Sequence, residues 1–249
     1  MPNPPRKLRS KPSTKNLIRT LSKLGLCSRT QALVHVQAGR VTVNGRCVKE
    51  PGYVVRPKDV IQLNGETVQT KAKRYFLFHK PAGCVTTRSD EKGRKTVYDY
   101  LKGIPDWVAP VGRLDQDSEG LLLLTNNGEL ARFLELPQNK LKRVYKVRGF
   151  GKVEMRKFTE LKRGVVIDGI KYGRADVKFV RGEGMNSWFE AVLCEGKNRE
   201  VRRLFEYCGL KVNRLIRVAF GPYELSDLKL GQTREVMIDP KFLKLCNYF

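Results

Sequence analysis

A chain of 249 residues with 41% hydrophobic side chains is long enough for one large domain, or for a small one and a medium one, each with a real core. Lys and Arg number 49 against 25 Asp and Glu, a formal net charge of +24, which points to a polyanion bound through phosphate neutralisation and counterion release. An anionic membrane surface is the competing partner, but no apolar run reaches about 18 residues and neither end carries a lipidation signal, which argues against a membrane protein.

Residues 1–14 are rich in Pro, Lys and Arg and lack an apolar h-region. They read as a disordered basic arm, not a secretory signal. Residues 15–70 read as a small module. Leu17, Leu21 and Leu24 recur at helical spacing and Gly25 ends that turn. Ser28 followed by Gln31 is a capping-box pattern ahead of the apolar face Ala32, Leu33 and Val36, and Gly39 stands where a helix terminus favours glycine. Asn44-Gly45 and Asn64-Gly65, each between short alternating runs, are two-residue hairpin signals. Arg19, Lys23, Arg29 and Arg40 are interleaved through this module as candidate RNA contacts. Residues 71–74 form a basic linker, and residues 75–249 a larger domain.

That domain opens with an apolar strand at 75–78 and a turn at 79–83. The near-continuous leucine of 120–125 predicts a buried strand. A helix follows at 128–136, stopped by Pro137. Strands are expected at 143–150, 188–194 and 211–220, with a helix at 198–208 closed by Gly209. The six cysteines show no CxxC pair and the two histidines are far apart in sequence, so reduced thiols in a cytosolic protein and no metal site are expected.

Three segments carry chemistry. Asp115 sits two residues after Arg113 in Gly-Arg-Leu-Asp, and the leucine strand behind it pins its loop on one side. An Asp in a turn is common, so Asp115 alone does not discriminate. Asp117 and Glu119 read as solvent-facing loop acids. In the helix at 198–208, Val201, Leu204, Phe205 and Cys208 define the buried stripe. At about 100° per residue, Arg199 and Arg203 point away, free to reach phosphates. Arg202 lies on the flank, where a half-buried cation needs a partner; it is the natural candidate to pair with a sequestered acid. Alternation at 143–147 puts Arg143, Tyr145 and Val147 on one face. An aromatic beside cations can stack on a nucleobase, although an ordinary strand tyrosine looks the same.

Taken together these segments are specific. LIRTLSKLGLCSRTQALVHVQAGRVTVNGRCV resembles an S4 RNA-binding domain. LFHKPAGCVTT, PVGRLDQDSEGLLLLTNNG, LKRVYKV and LCEGKNREVRRLFEYCGLKVNRLIRVAFGPYEL resemble the pseudouridine synthases of the RsuA type, ribosomal-RNA uridine isomerases with an N-terminal S4 domain. The likeness runs from about residue 17 to 236. It implies an α+β fold: a small S4 RNA-binding domain followed by a pseudouridine-synthase catalytic domain with a mixed, mainly antiparallel sheet and a central cleft, Asp115 on its floor. It implies Asp115 as catalytic acid, Tyr145 as the stacking tyrosine, Arg202 as the partner of Asp115, Leu215 beneath the base, and Arg113 filling the gap left by the extruded base. Lys80, Lys197, Arg199 and Arg203 join the candidate RNA contacts. Ser118 and Asn127 stand where many members have Thr and Asp.

The resemblance implies no cofactor, no metal and no membrane, a structured ribosomal RNA stem-loop as partner, and a cytoplasmic place; a monomer is the default. The 197–220 segment leans towards large-subunit (23S) rRNA, with 16S rRNA as the alternative target. A non-catalytic S4-type ribosome-associated RNA-binding factor is the alternative function, and a membrane-surface or heparin-type binder the third.

Overall fold

A computed structural model of the chain describes residues 15–104, 107–240 and 242. The basic arm at 1–14 and Cys246 lie outside the described residues. The chain divides into two compact units at the Lys73–Arg74 bond.

The first unit runs β1 (Lys15–Asn16), α1 (Leu17–Lys23), α2 (Arg29–Gln37), β2 (Val41–Val43), β3 (Arg46–Cys47), β4 (Val54–Val55), β5 (Ile61–Leu63) and β6 (Glu66–Thr67). The Asn16 carboxamide caps α1 at the Arg19 amide, 3.0 Å. The Ser28–Gln31 box closes in both directions, at 3.0 and 2.9 Å, satisfying amides that the first turn of α2 leaves without partners. Asn44-Gly45 and Asn64-Gly65 both take positive φ, joining β2 to β3 and β5 to β6 in a four-stranded sheet of order β3-β2-β5-β6. Leu17, Leu21, Ala32, Val36, Val41 and Ile61 bury between the helix pair and the sheet. Arg19, Lys23, Arg29 and Arg40 are left exposed.

The second unit continues with β7 (Tyr75–Lys80), β8 (Ala109–Pro110), β9 (Glu119–Thr125), α3 (Gly128–Glu135), β10 (Arg143–Phe150), α4 (Met155–Leu161), β11 (Val165–Ile167), β12 (Ile170–Tyr172), β13 (Ala175–Glu183), β14 (Asn186–Leu193), α5 (Glu200–Tyr207), β15 (Lys211–Phe220), β16 (Tyr223–Glu224) and β17 (Thr233–Glu235). Its main sheet has the order β13-β14-β10-β15-β9-β7-β17, with β16 added to β15 and β8 to β9. All of these pairings are antiparallel except that of β15 with β9. The sheet is therefore mixed and mainly antiparallel, as the resemblance implies.

β9 carries four consecutive leucines, Leu121 to Leu124, because both its faces are covered. Leu121 and Leu123 pack with Tyr75, Leu77 and Leu130, while Leu122 and Leu124 pack with Phe76, Phe78 and Val97. β10 and β14 alternate instead, each burying one face against Phe158 of α4 and Val201, Leu204 and Phe205 of α5. Helix α5 begins at Glu200, not at residue 198, because Arg199 takes a left-handed backbone, φ 49°. This removes Arg199 from the helix.

The parallel junction of β9 and β15 is where the unit is tightest. Gly120, at φ +113°, lies opposite Arg217, and a Cβ there would stand 2.2 Å from the Arg217 carbonyl oxygen and 2.5 Å from its nitrogen. Backbone cannot yield as a side-chain tip can. Gly120→Ala is expected to cost more than about 3 kcal/mol, read as a lower urea midpoint; an unchanged midpoint would contradict this packing.

Candidate active site

The segment from Leu114 to Leu121 is held almost residue by residue. The Thr86 hydroxyl donates to the Leu114 carbonyl at 2.8 Å and accepts from its amide at 3.3 Å. The Gly83 amide donates to the Gln116 carbonyl at 2.7 Å. Three buried cations then take carbonyls of the segment: Arg202 that of Asp117 (3.0 Å), Lys80 that of Ser118 (2.9 Å) and Arg217 that of Leu121 (2.8 Å). A buried charge is costly unless it is hydrogen-bonded and electrically offset. Burial pushes the Lys80 ammonium down from its usual value, opposed by Cys84 and by the carboxylates of Asp117, Asp115 and Glu119. Burial likewise lowers Arg202, opposed chiefly by Asp117, and Arg217, opposed by Tyr145. The acids of this loop and the cations beneath it thus hold each other in place.

The loop opens onto a cleft of about 620 Å³ lined by Arg113, Asp115, Tyr145, Lys197, Arg199 and Leu215, among others. Tyr145 of β10 lies opposite Arg217 of β15, and Val147 opposite Leu215, so Tyr145 and Leu215 share a face and form an apolar wall, both almost fully buried. Asp115 is one-third exposed, and the Arg199 guanidinium is 3.8 Å from its carboxylate. Arg113 is exposed and borders both this cleft and a neighbouring groove.

Several expectations are corrected. Arg202 does not pair with Asp115: its guanidinium is 3.0 Å from the Asp117 carboxylate and also donates to the Val212 carbonyl at 3.0 Å. The ion-pair partner of Asp115 is Arg199, released from the helix by its left-handed backbone and also 3.5 Å from Asp117. Lys80 is fully buried with Nζ donating to Pro81 and Ser118, so it is unavailable to a phosphate. Glu119 is not solvent-facing, since Arg214 clamps it with two bonds of 2.9 Å. Arg143 is not a cation offered to a base. It is buried, donates to the carbonyls of Leu141, Cys194 and Glu135, and lies over the Phe220 ring. Arg203 is half-buried and donates to the Tyr172 hydroxyl at 3.3 Å. Lys197 faces the cleft but is paired with Glu195 at 2.5 Å.

A carboxyl pair, absent from the sequence expectations, flanks the cleft. Glu195 accepts from the Gly173 amide and from Lys197, and Glu200, buried, accepts from the Lys197 amide at 2.9 Å. Burial, together with a hydrogen bond to Glu195, pushes Glu200 up to about 7. Burial opposes but does not prevent the lowering of Glu195 by Lys197 and the Gly173 amide. Glu200 therefore keeps its proton to a higher pH than an ordinary carboxyl does. The EGKNRE spacing was the available signal: two acids five residues apart, brought together by the turn before α5.

Comparison with known proteins places the chain in a family. Residues 74–207 match the family described as RNA pseudouridylate synthase and residues 16–61 match the S4 domain. An uncharacterized RNA pseudouridine synthase of Rickettsia conorii is 45% identical over 221 residues, covering 88% of this chain and 95% of that one. Ribosomal large subunit pseudouridine synthase B of Shigella flexneri is 40% identical over 237 residues, covering 88% and 81%. A crystal structure of a pseudouridylate synthase superimposes with a TM-score of 0.66 at 25% identity, covering 92% of this chain and 99% of that one.

The carboxyl pair makes stability depend on pH. Because the folded protein holds Glu200 above the unfolded carboxyl value, its contribution is fully present below about pH 4.5 and is lost as pH rises through about 7. Glu200→Gln mimics the protonated form. Relative to the variant, the wild type is expected to lose on the order of 1–3 kcal/mol of stability between pH 4.5 and 8, measured by urea unfolding; parallel pH profiles would contradict the upward displacement of Glu200.

Proposed function

This chain belongs to the RNA pseudouridylate synthase family, and we propose that it converts a uridine of large-subunit ribosomal RNA to pseudouridine with Asp115 as the reacting carboxylate. The observation that carries the reading is the placement of Asp115, Tyr145, Leu215 and Arg113 along one cleft, with the Asp115 loop fixed from beneath.

The reaction breaks the N1–C1′ bond, turns the base over and joins C5 to C1′; the C5 proton is released to solvent and N1 takes up a proton, so the product is an isomer of the substrate. The target base must first leave its stack, at a cost of a few kcal/mol. Stacking on Tyr145 returns about 1–3 kcal/mol, with Leu215 on the same wall excluding water beside it. Arg113, exposed at the cleft mouth, fills the vacated place in the RNA. Asp115 then acts as nucleophile at C1′ or as base at C2′. Both routes act through the Asp115 carboxylate, beside which the Arg199 guanidinium stands at 3.8 Å. Arg202 acts one step further back, through Asp117.

The large-subunit target draws on the 40% identity with synthase B of Shigella flexneri. The exposed Arg19, Lys23, Arg29 and Arg40 give the S4 unit a basic surface suited to a structured stem-loop. A non-catalytic RNA-binding role is disfavoured by the intact Gly-Arg-Leu-Asp and by Tyr145 facing the cleft.

Tritium release from C5-labelled uridine in rRNA tests the proposal. Asp115→Asn is expected to lower the rate by more than about a thousandfold with RNA affinity retained; normal turnover would refute the assignment. Arg199→Ala is expected to lower kcat about tenfold, whereas Arg202→Ala is expected to act mainly on stability, by about 3–5 kcal/mol.

A further inference from the structure

A second concavity, of about 620 Å³, lies across the neighbouring ends of β10, β13 and β14. Its border carries Lys140, Lys142, Lys162, Arg174 and Lys178. All five are exposed, and none makes an ion pair among the described residues. Three acids share the border: Asp176, Glu190 and Glu195. Glu195 is already engaged by Lys197 and the Gly173 amide. Glu190 lies between Lys146 and Lys178 in the strand register, so a single carboxylate faces two cations. Val192, opposite Asp176 in the register, adds an apolar side chain to the same face. Lys140 takes a left-handed backbone, φ 48°, directly after the 3-10 turn Pro137–Asn139, a position that a glycine fills at lower cost; the residue there is a cation.

Five unpaired cations around one depression repel each other in the free protein. A ligand carrying closely spaced negative charges relieves that repulsion and releases counterions. The depression also adjoins the cleft: Glu195 borders both, and Leu193 faces the cleft while Cys194 faces the depression. A strand leaving the cleft at this end meets the basic border next.

We propose that this groove holds the phosphodiester backbone of the RNA substrate beyond the target stem-loop, extending the binding site across the end of the sheet. The inference rests on the reading of the chain as an rRNA-modifying enzyme. It is tested on the full chain with Lys140→Gln/Arg174→Gln/Lys178→Gln, against a control triple of exposed cations elsewhere, Lys152→Gln/Arg156→Gln/Lys229→Gln. Filter binding at several KCl concentrations would compare a long rRNA fragment with the minimal stem-loop, and tritium release would give kcat and KM.

For the groove triple, Kd and KM for the long fragment are expected to rise about tenfold and the salt slope to fall by about 2–3. kcat and stem-loop affinity are expected to stay unchanged, and the control triple to behave as the wild type. Equal losses in both triples, or unchanged affinity for the long fragment, would overturn the proposal. So would unchanged RNA affinity with lost binding of poly-glutamate, which would assign the groove to an acidic protein segment. Lost RNA affinity in a protein whose wild type releases no tritium would sustain the groove and refute the catalytic reading instead.

Discussion

The candidate site depends on buried cations hydrogen-bonded to main-chain carbonyls. Lys80, Arg202 and Arg217 lie on three different elements, β7, α5 and β15, yet converge on the carbonyls of residues 117, 118 and 121. A loop stretched over water would keep several conformations, and a carboxylate on it would sample many positions. Here each conformational change would strand a buried charge without its acceptor, at a cost of several kcal/mol. Lys80 and Arg202 need acids nearby to offset them, and Asp115 and Asp117, with Glu119 for Lys80, provide them. The same electrostatic balance that fixes the loop therefore places a carboxylate at the cleft.

This divides the large positive charge into two populations with different physics. Among the described residues, the buried cations, with Arg143 joining the three above, hold carbonyls and contribute to the fold. Under the proposed function, the exposed ones, on the S4 unit and around the cleft and groove of the catalytic unit, are the population that meets phosphates. Composition reports only the sum of the two.

Strand and helix periodicity, caps and turns were legible where local rules decide. The Ser28–Gln31 box, the two Asn-Gly hairpins and the bounds of β10 and β15 follow from spacing alone. The leucine run of β9 announced burial on both faces. The same hairpin rule applies to Asp168-Gly169, which joins β11 to β12 with both residues at positive φ. Partner choice was not legible. Helical geometry put Arg202 on a flank but could not say which of three nearby acids it meets, and a single left-handed residue, Arg199, reassigned the Asp115 contact. Lys80 follows an apolar strand and precedes a proline turn, and nothing local distinguishes a buried lysine there from a surface one. Its burial arises from β9 on one side and the Cys84 turn on the other, which are contacts distant in sequence.

The central claim is that the carbonyl clamp, acting through loop position, governs the chemistry. Single-turnover tritium release by Lys80→Met, measured beside amide hydrogen exchange of the 112–121 segment, tests it most directly. The account predicts faster exchange in that segment and release slowed at least about tenfold, with RNA affinity within about twofold of wild type. A folded variant whose loop exchanges faster while release proceeds at the wild-type rate would contradict it.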